Sequence, residues 1–392
     1  MTDSGGSIQF RGDGRLKVMI IVGTRPEVIR LSEVIRKCRV YFDCILVHTG
    51  QNYDYSLNGA IFRDLGLDGP DVTLQTVGAD LGETVGNILN ATYKLLRDTL
   101  PDALLLLGDT NSCLSAISAK RLHIPVFHME AGNRCKDERL PEETNRRIVD
   151  VISDVNMAYS EQARQNLLDC GLPAERVFVT GSPMAEVLRA NWVGIQKSDV
   201  LSRLGLEEKE YFLLSAHREE NIDGEESFLS LFTAINRLAE VYGKPILYSC
   251  HPRSRKRLEA TGFRLDPHVI LHKPLGFHDY NRLQMGALCV ISDSGTLPEE
   301  ASFYTSVGAP FPAVSIRTST ERAEAMDHGC FTLAGIRADS LLQAVSTSIT
   351  MHERGDHGTP VPAYTDENVS AKVVNILQSY TAVVNENVWR KH

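Results

Sequence analysis

The chain has no C-x-x-C pair, no long apolar run and no excess of basic residues. Its eight cysteines (Cys38, Cys44, Cys113, Cys135, Cys170, Cys250, Cys289 and Cys330) are scattered over 392 residues. That scatter argues against a disulfide framework or a structural zinc site, and a reducing cytoplasm is the simplest setting. Apolar runs such as Val18–Val22 and Ala103–Leu107 fall far short of the roughly 18 residues that cross a bilayer. Met1–Gly14 is polar and Gly-rich, unlike the apolar core of a signal peptide. Lys plus Arg is 41 against 50 for Asp plus Glu, a net charge of −9. This argues against a general binder of nucleic acid or anionic membrane but leaves room for a local basic pocket. There is no G-x-G-x-x-G, no Walker loop and no G-x-S-x-G, so the usual dinucleotide, P-loop and hydrolase-elbow readings lose support.

What is present is globular: 43% hydrophobic and 23% charged residues. At roughly 150 residues per domain the length suggests two or three. The repeated unit is a short apolar run, a polar or Gly-containing loop, then an amphipathic stretch. Strands are expected at Leu16–Val22, Cys44–His48, Ala103–Leu107, Val126–Met129, Val155–Ala158 and Val177–Val179. A helix follows from about Gly82 to Thr99, with Asp80 and Glu83 as a capping pair. Asn191–Glu210 is more polar and reads as a linker with a short helix. The pattern then restarts with strands at Tyr211–Ser215, Ile246–Tyr248, Val269–Leu271, Leu288–Ile291 and Ala313–Ile316. Apolar runs alternating with helices predict parallel sheets covered on both faces. The expected fold class is therefore α/β, with two doubly wound domains facing a cleft, at residues 1–190 and 191–367. A final helix, 368–392, is expected to return to the first domain.

Ligands of such sheets bind beyond the carboxyl ends of strands, and the polar motifs lie there. Gly23-Thr24-Arg25-Pro26-Glu27 opens a helix; Arg25 either meets an anion at the helix N-terminus or marks a plain turn. Asp109, in Gly108-Asp109-Thr110, is a helix cap or a site carboxylate. The P-C-x-x-C that a zinc deaminase requires after His128-Met129-Glu130 is missing, and Glu130, at a strand's carboxyl end, is a better acid/base candidate than a metal ligand. Glu142 and Arg146 stand i,i+4, and spacing alone favours a surface pair. His217-Arg218 fits diphosphate binding. Ser294 and Gly295 suit a phosphate cradle, and Glu299 and Glu300 suit ribose hydroxyls. Arg317 and Glu321-Arg322 follow the next strand. Solvated charge pairs or satisfied core residues are the bland alternatives.

The ordered set resembles the non-hydrolysing UDP-N-acetylglucosamine 2-epimerases. The matching strings are G-T-R-P-E at Gly23–Glu27, G-D-T at Gly108–Thr110, H-M-E-A-G at His128–Gly132 and P-E-E-x-N-R at Pro141–Arg146. T-G-S-P at Thr180–Pro183, A-H-R-E-E-N at Ala216–Asn221, D-S-G at Asp293–Gly295 and Thr320-Glu321-Arg322 complete it. The resemblance implies Rossmann-like domains in a B-type glycosyltransferase arrangement, a homodimer, and a UDP-sugar substrate handled without metal or cofactor. It implies a reaction in two halves. The C2 proton is removed as UDP leaves C1, giving a 2-acetamidoglucal; UDP then adds back and C2 is reprotonated from the other face. Asp109, Glu130 and Glu142 match the family's carboxylates. His217, Arg25, Ser294, Gly295 and Arg322 match diphosphate or sugar contacts, with His217 also catalytic. Arg30 stands where the family has a basic residue, usually lysine. Glu300, with Glu299, matches the ribose contact, and Tyr280 an aromatic near the uracil.

Departures at Gln51-Asn52 and at Ser249-Cys250-His251-Pro252 put the family's allosteric UDP-GlcNAc site in question. H-T-G-Q-N-Y-D-Y, G-D-T-N-S-C-L-S and K-P-L-G-F-H-D-Y are similar to UDP-N-acetyl-L-fucosamine synthases of capsule or O-antigen synthesis. Val307–Pro312 stands where a shorter link is expected. The rival readings are a glycosyltransferase on the same fold, and a silent nucleotide-sugar sensor.

Overall fold

The computed structural model describes residues 8–51, 61–135, 138 and 140–391. Asn52–Tyr55 of the H-T-G-Q-N-Y-D-Y string lie outside the described residues. The chain divides into two compact units: Met1–Val187 with Asp366–His392, and Leu188–Thr365.

The first unit is built on a seven-stranded parallel sheet. Its strands are β1 (Lys17–Val22), β2 (Asp43–His48), β3 (Val72–Thr73), β4 (Ala103–Leu107), β5 (Val126–Ala131), β6 (Val155–Ala158) and β7 (Val177–Val179), in the order β3-β2-β1-β4-β5-β6-β7. Every residue of β4 is buried, which is why it reads as an unbroken apolar run rather than an alternating one. Met19 and Leu104 are register partners across β1 and β4, and Leu106 partners His128 across β4 and β5. Met19, Ile21, Leu104, Leu106, Val126 and Val149 belong to one core cluster. The helix Leu81–Thr99 starts on Asp80, whose carboxylate accepts from Glu83 N at 2.8 Å. The reciprocal bond goes one residue further back than a capping box requires, from Ala79 N to Glu83 at 2.6 Å.

The second unit has a six-stranded parallel sheet: β8 (Phe212–Ser215), β9 (Ile246–Ser249), β10 (Val269–His272), β11 (Cys289–Ser292), β12 (Ala313–Ser315) and β13 (Thr332–Leu333), ordered β10-β9-β8-β11-β12-β13. Phe228, Phe232 and Ile235 of the helix Glu225–Tyr242 pack on Phe212, Leu214 and Tyr248 of the sheet. The stretch expected to be a polar linker is mostly helical, at Trp192–Lys197 and Val200–Leu204. Buried Ile195 and Val200, and Trp192 lying 5.9 Å from Phe303 and Tyr304, tie it to this unit. Val307–Pro312 is a helix-ending turn. Gly308 takes φ +74°, Ala309 N donates to Tyr304 O at 2.9 Å, and Phe311 packs edge-on to Tyr304 at 5.5 Å. Gly supplies the left-handed residue that such an ending needs.

The helix Val369–Asn387 belongs to the first unit and packs on the helix Arg25–Tyr41. Its first turn is fastened by Ser370, whose N–H donates to Glu186 at 2.8 Å. In both sheets the strand order reverses beside the first strand, between β1 and β4 and between β8 and β11. In open parallel sheets that reversal opens a crevice at the carboxyl ends.

Leu105 is fully buried in the middle of β4. Leu105→Ala is expected to cost about 2–5 kcal/mol, read as a lower urea midpoint for the first unit.

Candidate active site

At the carboxyl end of β1, Gly23-Thr24 leads into the helix Arg25–Tyr41, with Thr24 as its extended N-cap and Pro26 in its first turn. The carboxylate of Glu27 turns back into this loop. It accepts from Gly23 N at 3.1 Å and Thr24 Oγ1 at 2.7 Å, and across the switch point from Thr110 Oγ1 at 3.0 Å and Ser112 Oγ at 2.6 Å. The loop's own acid therefore uses an N–H that an anion would otherwise meet. Arg25 is half-buried at the start of the helix. Burial pushes the Glu27 carboxyl above its ordinary value, and its four donors offset only part of that.

At the end of β4, Gly108 takes φ +71° and Asp109 follows. The helix cap considered for Asp109 is not its role: the N-cap of Asn111–Leu114 is Thr110. The Asp109 side chain instead meets Arg146 at 2.7 Å, and its carbonyl accepts from Asn145 Nδ2 at 2.9 Å. The surface Glu142–Arg146 pair favoured by spacing is likewise replaced. Arg146 is buried and directed to Asp109 and to Glu143, the latter at 3.1 Å. Glu142 is half-buried in the first turn of the same helix, Pro141–Ile152.

Glu130 sits on β5 at a register shift between Met129 and Ala131, with φ +63°. A non-glycine residue rarely holds that conformation and needs support around it. Its 8%-exposed carboxylate pairs with Arg30, and Asn133 Nδ2 lies 3.4 Å from its other oxygen. Arg30, matched by resemblance to a substrate contact, is thus engaged by Glu130 in this structure. A Cβ at Gly108 would stand 3.1 Å from that carboxylate, so Glu130 lies against the residue preceding Asp109. Asp109, Glu130 and Glu142 therefore occupy adjoining segments, tied through Gly108 and Arg146.

Behind Glu130 lies a buried polar chain. His128 Nε2 donates to Gly108 O at 2.8 Å and Nδ1 is 3.1 Å from Asp150, both residues being fully buried. Asp150 also meets Arg134 at 2.6 Å and accepts from Gly132 N at 3.2 Å. Burial opposes charge on His128, but Asp150 and the Gly108 carbonyl outweigh it and raise the imidazole above its ordinary value. Burial likewise opposes charge on Asp150, and His128 and Arg134 outweigh it and lower the carboxyl. His128 Nε2 is thus hydrogen-bonded within the fold, and Nδ1 lies close to Asp150 without hydrogen-bond alignment. Among the described residues no group of three or more His, Cys, Asp or Glu could hold a metal ion.

In the second unit the loops after β8 and β11 meet through Asp293. This fully buried carboxylate accepts from His217 N at 2.9 Å, Arg218 N at 3.0 Å and Asn221 Nδ2 at 3.1 Å, and stands 3.2 Å from His217 Nδ1. The His217 ring remains 43% exposed. Ser294 Oγ lies 2.9 Å from Thr296 Oγ1 at the start of the helix Leu297–Ser306. A Cβ at Gly295 would meet Glu321 at 3.0 Å and Arg218 at 3.3 Å, so the backbone there passes close under two charged side chains. Glu299 is fully buried against Arg322 at 2.5 Å, and Arg322 lies over the Tyr364 ring. Glu300 accepts from Gln284 at 2.6 Å and Thr296 at 2.8 Å, and burial pushes its carboxyl up. Tyr280 is half-buried in the helix Phe277–Gly286, its hydroxyl pushed up by burial and by Glu300.

Five residues that organise these loops are absent from the sequence-based assignment: Glu27, Arg146, Asp150, Asp293 and His128. Glu27 had a signal, the capping-box spacing Thr24-x-x-Glu27. Asp150 had none, since it lies within an ordinary amphipathic helix.

The model of the UDP-N-acetylglucosamine 2-epimerase family matches residues 36–378. A UDP-N-acetylglucosamine 2-epimerase from Methanococcus maripaludis is 33% identical over 92% of this chain and 98% of its own. The solved structure of a UDP-N-acetylglucosamine 2-epimerase from Rickettsia bellii is 44% identical, covers 96% of this chain and 100% of its own, and has a TM-score of 0.88. That of the Methanocaldococcus jannaschii enzyme, in complex with UDP-GlcNAc and UDP, is 31% identical, covers 93% and 99%, and has a TM-score of 0.85. The class so defined is that of isomerases acting on sugar nucleotides. More particularly, the chain belongs to the UDP-N-acetylglucosamine 2-epimerase family.

Because folded Glu27 holds its proton above the ordinary value of 4.5, its contribution to stability is full below that value and falls as pH rises through the raised one. Glu27→Gln is expected to remove this loss, gaining on the native chain in urea midpoints as pH is raised above 4.5. Glu27→Ala, which strands four donors, is expected to cost about 1–3 kcal/mol across the range.

Proposed function

We propose that the protein is a non-hydrolysing C2 epimerase of a UDP-N-acetylhexosamine, working by elimination and re-addition of UDP. The observation that carries this reading is the family match over residues 36–378 in a chain that keeps all three carboxylates. In this reading Asp109, Glu130 and Glu142 serve the proton transfers at C2, which need groups on opposite faces of the ring. The C2 hydrogen is weakly acidic, so its removal depends on stabilising the departing diphosphate. His217, Ser294 and Gly295, with Arg25 and Arg322, are assigned to that diphosphate. Glu299 and Glu300 are assigned to the ribose and Tyr280 to the uracil side. His217 is supported in this role by its exposed ring on a backbone pinned by Asp293.

The substrate is read as UDP-GlcNAc and UDP-ManNAc. A second reading, the UDP-6-deoxy-L-talosamine sugar of the fucosamine synthases, is favoured by G-D-T-N-S-C-L-S at Gly108–Ser115 and K-P-L-G-F-H-D-Y at Lys273–Tyr280. A homodimer is proposed on the family resemblance. A cytoplasmic setting is proposed on the eight free cysteines. No described helix is long and apolar enough to cross a membrane.

Turnover in deuterated water is expected to place deuterium at C2 of the product, followed by proton NMR, with free glucal and UDP appearing slowly. Full retention of the original C2 proton after inversion overturns the elimination route. The same assay run with UDP-GlcNAc and with the talosamine sugar decides between the substrates. Asp109→Asn and Glu142→Gln are expected to lower kcat by about 10²–10⁴-fold while UDP affinity, measured by calorimetry, stays close to that of the native chain. An equal loss of both assigns these residues to structure.

A further inference from the structure

We propose that His128, held as an imidazolium against Asp150, is a positioning residue that fixes the Asp109 loop and the Glu130 bulge in one geometry. The inference rests on the reading above, in which Asp109 and Glu130 carry the proton transfers.

The charge state follows from the partners. Nε2 lies 2.8 Å from the Gly108 carbonyl, which can only accept, so Nε2 carries a proton. Nδ1 lies 3.1 Å from an Asp150 oxygen, with neither side chain exposed. The contact is a close ion pair rather than an aligned hydrogen bond, and a bare lone pair this near a carboxylate is repelled, so the second proton is assigned to Nδ1. Burial penalises this charge, and the Asp150 carboxylate compensates it.

The linkage joins two strand ends. From Gly108 O it runs through His128 to Asp150, and from Asp150 to Gly132 N at 3.2 Å. Gly108 immediately precedes Asp109, and Gly132 stands two residues after Glu130. All three residues Gly108, Glu130 and Gly132 have positive φ, at +71°, +63° and +83°. Gly132 admits no side chain, because a Cβ there would stand 2.1 Å from Ala163 O. Asp150 is itself anchored, its carbonyl accepting from Asn156 Nδ2 at 2.9 Å. The buried pair therefore holds the backbone on which both carboxylates are mounted without touching either carboxylate.

The charged groups around the pair are Arg134 on Asp150, Asp109 with Arg146 and Glu143 from the helix side, and Glu130 with Arg30 from the strand side. Deprotonating His128 removes one of its two N–H groups, so a lone pair then faces either the Asp150 carboxylate or the Gly108 carbonyl, while Asp150 keeps Arg134 and the Gly132 amide. A fall in kcat is thus expected as pH rises past the raised His128 value, with the diphosphate contacts of the second unit unaffected.

The first test is independent of catalysis. In the full chain labelled with ¹⁵N-histidine, both His128 ring nitrogens are expected to be protonated at neutral pH and to titrate above about 6.5. A single protonated nitrogen at pH 7 overturns the proposal. The second test uses His128→Gln, which keeps a donor for Gly108 but drops the charge, and Asp150→Asn, which keeps shape and serves if the histidine variant does not fold. Each is expected to lower kcat at least about 10-fold, with KM and UDP affinity within about threefold, and to remove the alkaline limb set by His128. Unchanged kcat in a folded variant, or a loss matching only the unfolded fraction, overturns the proposal. Absence of C2 deuterium uptake by the native chain overturns the epimerase reading instead, while the nitrogen spectra still judge the imidazolium.

Discussion

A charge withdrawn from water must find a partner, and both units are organised around that requirement. In the first, Asp150 collects His128, Arg134 and the Gly132 amide. In the second, Asp293 collects the His217 and Arg218 amides and the Asn221 side chain. Neither acid is exposed. Each does for a loop what a strand ladder does for a sheet, supplying acceptors for N–H groups that would otherwise be stranded. The exposed or half-exposed groups, such as His217 and Asp109, stand on frames held from behind by groups that are not exposed at all.

The parallel sheets decide where those frames occur. With all strands pointing one way, every strand-to-helix loop of a unit leaves from the same edge. The reversal of order beside β1 and beside β8 then keeps two such loops apart from the helices that would otherwise cover them. Gly23 and Gly108 flank one reversal, His217 and Ser294 the other. The same edge receives the open ends of helices, which explains why acids such as Glu27, Glu142 and Glu300 gather in first turns.

Much of this was legible in the sequence, for a physical reason. Strands buried on both faces read as apolar blocks, so β4, β6 and β7 coincide with the runs Ala103–Leu107, Val155–Ala158 and Val177–Val179. The two-residue strands Val72–Thr73 and Thr332–Leu333 carry too little pattern to be read. The ordered polar strings identified the family, but the partners of individual charges were not readable. Arg30 and Glu130 are 100 positions apart in the chain, and no local spacing announces such a pair. Local spacing also misled, offering Glu142 to Arg146 when the fold gives Arg146 to Asp109. The positive φ at Glu130 was hidden because sequence marks that conformation only where glycine stands.

The helix Val369–Asn387 has a bearing on how the molecule is made. The second unit is one uninterrupted stretch, Leu188–Thr365, whereas the first is closed by a helix that follows it in the chain. During synthesis from the amino end, domains fold as their segments emerge. All residues of the later-encoded unit are thus synthesised before the earlier unit has its last helix, whose Ser370 meets Glu186. The unit begun first is therefore the last to have all of its parts.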